Sequence, residues 1–148
     1  MASISPALTL NSFSFEEIQV GSIYSFERFI DAELVSSFAQ ISGDYNPLHM
    51  DDVYGAHTEM GGRVAHGMLL ASFFSALVGM LCPGLRCLYL SQDIRFKKPV
   101  LLDTLVVVKG IVTGKSEATN IIILNTTITS KDGVVFVEGE AKLKVRYE

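Results

Sequence analysis

The sequence predicts an α+β fold in which a curled antiparallel β-sheet wraps around one long central α-helix. Three observations predict it. Residues 67–81 are apolar on almost every side and rich in Met, Leu and Ala, so they read as a helix buried over most of its surface. Four segments after it, 86–96, 104–112, 119–130 and 134–147, carry alternating and β-branched residues, the grammar of strands. Before it stand a single strand and shorter helical pieces. An antiparallel sheet that must cover one apolar helix has to curl around it.

The elements follow in order. Residues 1–14 are mostly small and polar and are expected to form an N-terminal tail, with the folded domain at 15–148. Residues 23–30 alternate Ile23, Ser25, Glu27 and Phe29 against Tyr24, Phe26, Arg28 and Ile30, a strand. Asp31 is placed as N-cap of a helix carrying Leu34, Val35, Phe38 and Ile41 on one face, and Gly43 ends it. A loop is expected over 42–52 with Asn46-Pro47 as its turn, then a short helical piece at 52–57 and a second loop at Gly61-Gly62. Pro99 and Asp103 separate the first two later strands, and Lys131-Asp132-Gly133 is a hairpin turn, giving a four-strand meander. The expected arrangement is a hot-dog fold, with the helix as filling and the sheet as roll.

At 148 residues, 49% hydrophobic and 19% charged, the chain is one globular domain with a real core. The net charge of −4 excludes a general nucleic-acid footprint, so an anionic ligand requires a local basic patch. Cys82 and Cys87 are too few for a disulfide framework or a zinc site and are expected to be reduced. No targeting segment is visible, and 67–82 is too short and broken to span a membrane. The chain is therefore expected to be soluble and cytoplasmic, with neither nucleic acid nor membrane as partner.

Chemistry concentrates in two segments. In Ser42-Gly43-Asp44-Tyr45-Asn46-Pro47-Leu48-His49 an acid and an imidazole stand five apart across a turn that proline stiffens. Held close, such a pair can share one water, each taking or giving a proton. On spacing alone an ordinary loop, with Asp44 capping a turn and His49 half-buried, accounts for it as well. In Gly62-Arg63-Val64-Ala65-His66-Gly67-Met68-Leu69 a glycine loop enters the buried helix. The free N–H groups of a helix start can stabilise negative charge developing on a bound oxygen, and Gly67 allows close approach. A tight turn that needs glycine is the plainer alternative.

Together, Asp-Tyr-Asn-Pro-Leu-His followed by Arg-Val-Ala-His-Gly-Met-Leu resembles the signature of the MaoC-like family, the R-specific enoyl-CoA hydratases. The similarity runs through Leu70-Ala71-Ser72-Phe73-Phe74-Ser75 and Phe96-Lys97-Lys98-Pro99-Val100, and covers about 15–146. It implies reversible syn hydration of a trans-2-enoyl thioester to the (R)-3-hydroxyacyl thioester. By the same resemblance Asp44 and His49 activate the water, with His49 as base, and the Gly67 amide meets the thioester oxygen. Asn46 is implied to orient the loop and Ser75 to support the site. Ser75 lies eight residues, or about 12 Å, past Gly67 along a helix, so it cannot share the oxyanion site.

Arg86, Lys97 and Lys98 are candidates for the phosphates of coenzyme A or of an acyl carrier's phosphopantetheine; as solvated charges at strand ends they would be equally ordinary. These groups enter as parts of the substrate, and no further cofactor is implied. No carboxylate–His spacing matches a zinc motif, so no metal is expected at His49, His57 or His66, and His57 is placed on a surface loop. The resemblance also implies a homodimer, with an acyl carrier protein as an optional partner. Two other functions compete. A hot-dog thioesterase would place a carboxylate on the central helix, and 67–81 contains neither Asp nor Glu. A non-catalytic acyl-thioester binder would have no need to position water.

Overall fold

The computed structural model describes residues 7–147. Its strands are β1 (Ile23–Ile30), β2 (Cys87–Gln92), β3 (Arg95–Phe96), β4 (Thr104–Ser116), β5 (Ile121–Thr129) and β6 (Val135–Val145). The helices are α1 (Ala32–Ser42), α2 (Pro47–Met50), α3 (Asp52–Ala56) and α4 (Gly67–Ala76). All strand pairs are antiparallel, in the order β1-β4-β5-β6-β2, with β3 also pairing to β6. The sheet curls around α4, as the hot-dog expectation requires.

The inner face follows from period-two alternation. Val106, Val108 and Val112 of β4, Ile122, Leu124 and Ile128 of β5, and Val137, Ala141, Leu143 and Val145 of β6 are all buried. They meet Leu70, Phe73 and Phe74 of α4 and the two residues after it, Leu77 and Val78. Phe74 is 1% exposed, and truncation of a ring so placed costs about 3–5 kcal/mol.

Four expectations need correction. The central helix is α-helical only to Ala76 and continues as a π-helical turn, Leu77–Leu81. An all-round apolar segment offers no periodic signal of such a change. The segment read as one strand over 86–96 is split into β2 and β3. The later strands do not form a simple meander, because β2 lies beside β6 rather than β4. Between them the chain crosses over the helix, where Ala65 N–H donates to the Val100 carbonyl at 2.8 Å and buries Val100. Finally, the loop expected over 42–52 contains helix α2, described below.

Within the expected tail, Met1 to Pro6 lie outside the described residues. Asn11, by contrast, is anchored: its backbone N–H donates to the Met80 carbonyl (2.8 Å) and its side chain to the Leu81 carbonyl (2.9 Å). Those carbonyls belong to the end of the π-helical turn, which leaves acceptors without intrahelical partners. The cysteines are free thiols, and burial pushes each up to about 11. Among the described residues no helix is long and apolar enough to cross a membrane.

Candidate active site

The first loop is built by local hydrogen bonds. Gly43, at φ 80°, ends α1 in the left-handed conformation, and its N–H returns to the Ala39 carbonyl. The chain then turns: the Asp44 carboxylate accepts the Asn46 N–H at 3.1 Å, and the Asn46 side chain accepts the Leu48 N–H at 2.9 Å. Asn46 is therefore the N-cap of α2, with Pro47 at its first position, where a missing N–H costs nothing. This cap puts His49 on a short helix that starts just beyond Asp44. The Asn46 side-chain oxygen is committed to this cap.

The second loop grips the first. Val64 N–H donates to the Leu48 carbonyl at 3.2 Å, and the Val64 carbonyl accepts from His49 Nδ1 at 2.8 Å. Arg63 Nε donates to the His49 carbonyl at 2.6 Å, while its Nη1 lies 3.6 Å from the Asp52 carboxylate. His66 Nε2 donates to the Asp44 carbonyl at 2.9 Å. A carbonyl can only accept, so His49 carries its hydrogen on Nδ1 and His66 carries its own on Nε2. In the neutral ring, His49 Nε2 is then a lone pair.

That lone pair faces the Asp44 carboxylate at 3.8 Å, beyond a direct hydrogen bond and right for one bridging molecule. The Asp44 side chain is 51% exposed and that of His49 15%. His66 lies behind them at 2% exposure, its ring stacked on His49 with centroids 3.9 Å apart. Burial holds the His66 imidazole below its ordinary 6.5; the Asp44 carbonyl opposes this shift and His49 adds to it.

A cavity of about 550 Å³ opens over the pair, lined among others by Asp44, His49, Gly67, Lys97 and Lys98. Gly67 opens α4, whose first-turn N–H groups have no intrahelical acceptor. A Cβ on Gly67 would lie 2.8 Å from the Phe96 ring, so any larger residue would have to push that half-exposed ring aside. Two basic side chains, Lys97 and Lys98, sit at the same cavity.

Two candidates stand elsewhere. Ser75 lines a second, apolar cavity of about 430 Å³, and Phe38 and Met68 border both cavities. Arg86 adjoins β2 at the far end of the sheet. Cys87 pairs with Val145 while Phe96 pairs with Val137, eight residues apart along β6, or roughly 27 Å. Arg86 does not line the cavity at Asp44 and His49 within this chain. His57 is exposed at the end of α3, with Nδ1 against the Val53 carbonyl at 2.7 Å.

Sequence reasoning missed the supporting roles of Arg63, Val64 and His66. An arginine and a histidine flanking Val64-Ala65, just before Gly67, were the available signal. Asp44, His49 and His66 offer metal-ligand atoms within 4.8 Å of one another. The two stacked rings lie within 29° of parallel, so their in-plane lone pairs run side by side rather than converging on one ion. A shared water suits the arrangement better than a shared metal.

Known proteins carry the same architecture. The MaoC-like domain model matches residues 17–134. The (R)-specific enoyl-CoA hydratase of Aeromonas caviae is 38% identical over 132 residues, covering 89% of this chain and 98% of that protein. The enzyme of the same name from Rhodospirillum rubrum is 37% identical, covering 88% and 90%. Among solved structures, the unliganded R-hydratase PhaJ1 of Pseudomonas aeruginosa matches with a TM-score of 0.89 at 32% identity, over 96% of this chain and 90% of that one. The chain belongs to the MaoC-like domain family.

Proposed function

We propose that this protein is an (R)-specific enoyl-thioester hydratase, a hydro-lyase acting reversibly on trans-2-enoyl and (R)-3-hydroxyacyl thioesters. Its relatives' names support the reaction class, and the 3.8 Å gap between Asp44 Oδ2 and His49 Nε2 carries the residue assignment. Both atoms are acceptors. A water between them donates one hydrogen to each and keeps its lone pairs for the β carbon.

The steps balance within the pair. His49 Nε2 takes one proton as the water oxygen bonds to the β carbon. The thioester becomes an enolate whose oxygen is met by the Gly67 amide at the α4 terminus. The proton returns from His49 through the new β-hydroxyl, whose own hydrogen passes to Asp44 and from there to the α carbon, leaving both side chains as they began. Because donor and nucleophile stand on one side of the substrate, addition is syn. The R configuration rests on the family, not on these distances.

The second cavity supports placing the acyl chain between Phe38 and Met68 toward Ser75, which would be a wall residue of the chain channel. Lys97 and Lys98 suit the phosphates of coenzyme A or of a carrier's phosphopantetheine. A homodimer belongs to the same proposal: β2 is a sheet edge carrying exposed Leu88 and Leu90, which a second copy would cover.

Incubation of the purified protein with crotonyl-CoA tests this reading. Loss of the conjugated enoyl absorbance without thiol release is expected. Release of thiol would instead indicate a thioesterase, and an unchanged spectrum across short and long enoyl chains would indicate a binder.

A further inference from the structure

His66 touches more of the site than any role given so far requires. Its Nε2–H holds the Asp44 backbone at 2.9 Å, one ring face lies on His49 at 3.9 Å, and the Phe38 ring meets it at 4.9 Å. The next residue is Gly67, the first of α4. Its Nδ1 is buried with no hydrogen-bond partner among the described residues. One rigid ring thus spans the acid's backbone, the base's face and the start of the helix that offers the amide.

We propose that His66 is a positioning residue for the hydration: its Nε2–H fixes Asp44, and its ring face fixes His49, at the separation one water needs. This rests on the reading of Asp44 and His49 as the water-holding pair. The ring is suited to the task only while neutral. A protonated His66 would present a second N–H with no acceptor, directly beside His49, and burial disfavours that form. A buried imidazole with one hydrogen bond made and one nitrogen idle is costly unless the ring itself is needed. Here the single bond it makes goes to the residue that must be held.

Two substitutions separate the contacts. His66→Phe keeps a flat ring against His49 and Phe38 but removes the donor. His66→Gln removes the ring but restores an N–H at about the reach of Nε2. With crotonyl-CoA, His66→Phe is expected to lower kcat by about 10–100-fold with KM changed less than about twofold, since a small misplacement of the pair acts on the chemical step. His66→Gln, which restores the donor but leaves no ring face against His49, is expected to recover kcat only in part, to a value between His66→Phe and wild type. If His66 acts through Asp44, adding His66→Phe to Asp44→Asn costs less than about a further twofold; a merely structural loss would multiply instead.

If His66→Phe does not fold, His66→Asn, too short to reach the Asp44 carbonyl, carries the same expectations. Turnover within about threefold of wild type for His66→Phe, or a fully multiplicative loss in the Asp44→Asn background, overturns the proposal while leaving the catalytic pair intact. Full activity of Asp44→Asn itself would overturn both.

Discussion

The two loops of the site are built on opposite principles. The one from Ser42 to Met50 carries Asp44 and His49, is largely exposed, and holds itself by short-range bonds within three residues. The one from Gly62 to Gly67 is more buried and reaches across the fold, bonding the Asp44, Leu48 and His49 carbonyls. On the proposed reading the water-holding pair sits on the more exposed loop, and its geometry is set largely by the more buried one. The exposed loop should therefore fail chemically when altered, and the buried one should fail structurally as well.

The largest expected effect is chemical. His49→Ala and Asp44→Asn should each lower kcat by about 10²-fold or more. Asp44→Asn should barely move the melting temperature, because that side chain is half exposed. His49→Ala also loses the 2.8 Å bond to the Val64 carbonyl and the stack on His66, and should cost about 1–3 kcal/mol. Steady-state kinetics beside thermal melts would check both halves, and a large melting shift in Asp44→Asn would blur the division between the loops.

Arg63→Met comes next and strikes the buried loop. The charged hydrogen bond to the His49 carbonyl is lost from a side chain only 11% exposed, which should cost about 1–3 kcal/mol. The Asp52 partner is 87% exposed, so that ion pair adds little. Denaturant midpoints should fall together with kcat. Loss of activity at unchanged stability would place Arg63 with the chemical loop instead.

The smallest effect is a pH dependence. The folded state holds His66 below 6.5, so the unfolded chain takes up this proton first as pH falls. The stabilising contribution is whole above 6.5 and is lost as pH drops from there through the depressed folded value. Denaturant midpoints across that window should fall more steeply for wild type than for His66→Gln, and equal slopes would argue against a neutral buried ring.

Much of this was legible in the residues. Alternation located every long strand, Asp31 and Gly43 marked the ends of α1, and the paired motifs named Asp44, His49 and Gly67. What escaped has physical causes. Helix α2 is four residues long, too short for any periodic pattern, although Asn46-Pro47 already spells an N-cap with proline at the first position. The pairing of β2 with β6 is non-local and leaves no mark in either segment. Arg63 and His66 act through backbone carbonyls of another loop, so their roles exist only once the two loops meet.

The account stands on Asp44 and His49 serving one water as a unit, and the double variant Asp44→Asn/His49→Ala measures that directly. If they share it, the double variant should turn over crotonyl-CoA within about threefold of the slower single variant. If the two losses multiply, to about 10⁴-fold or more, the side chains act independently and the shared-water account is wrong.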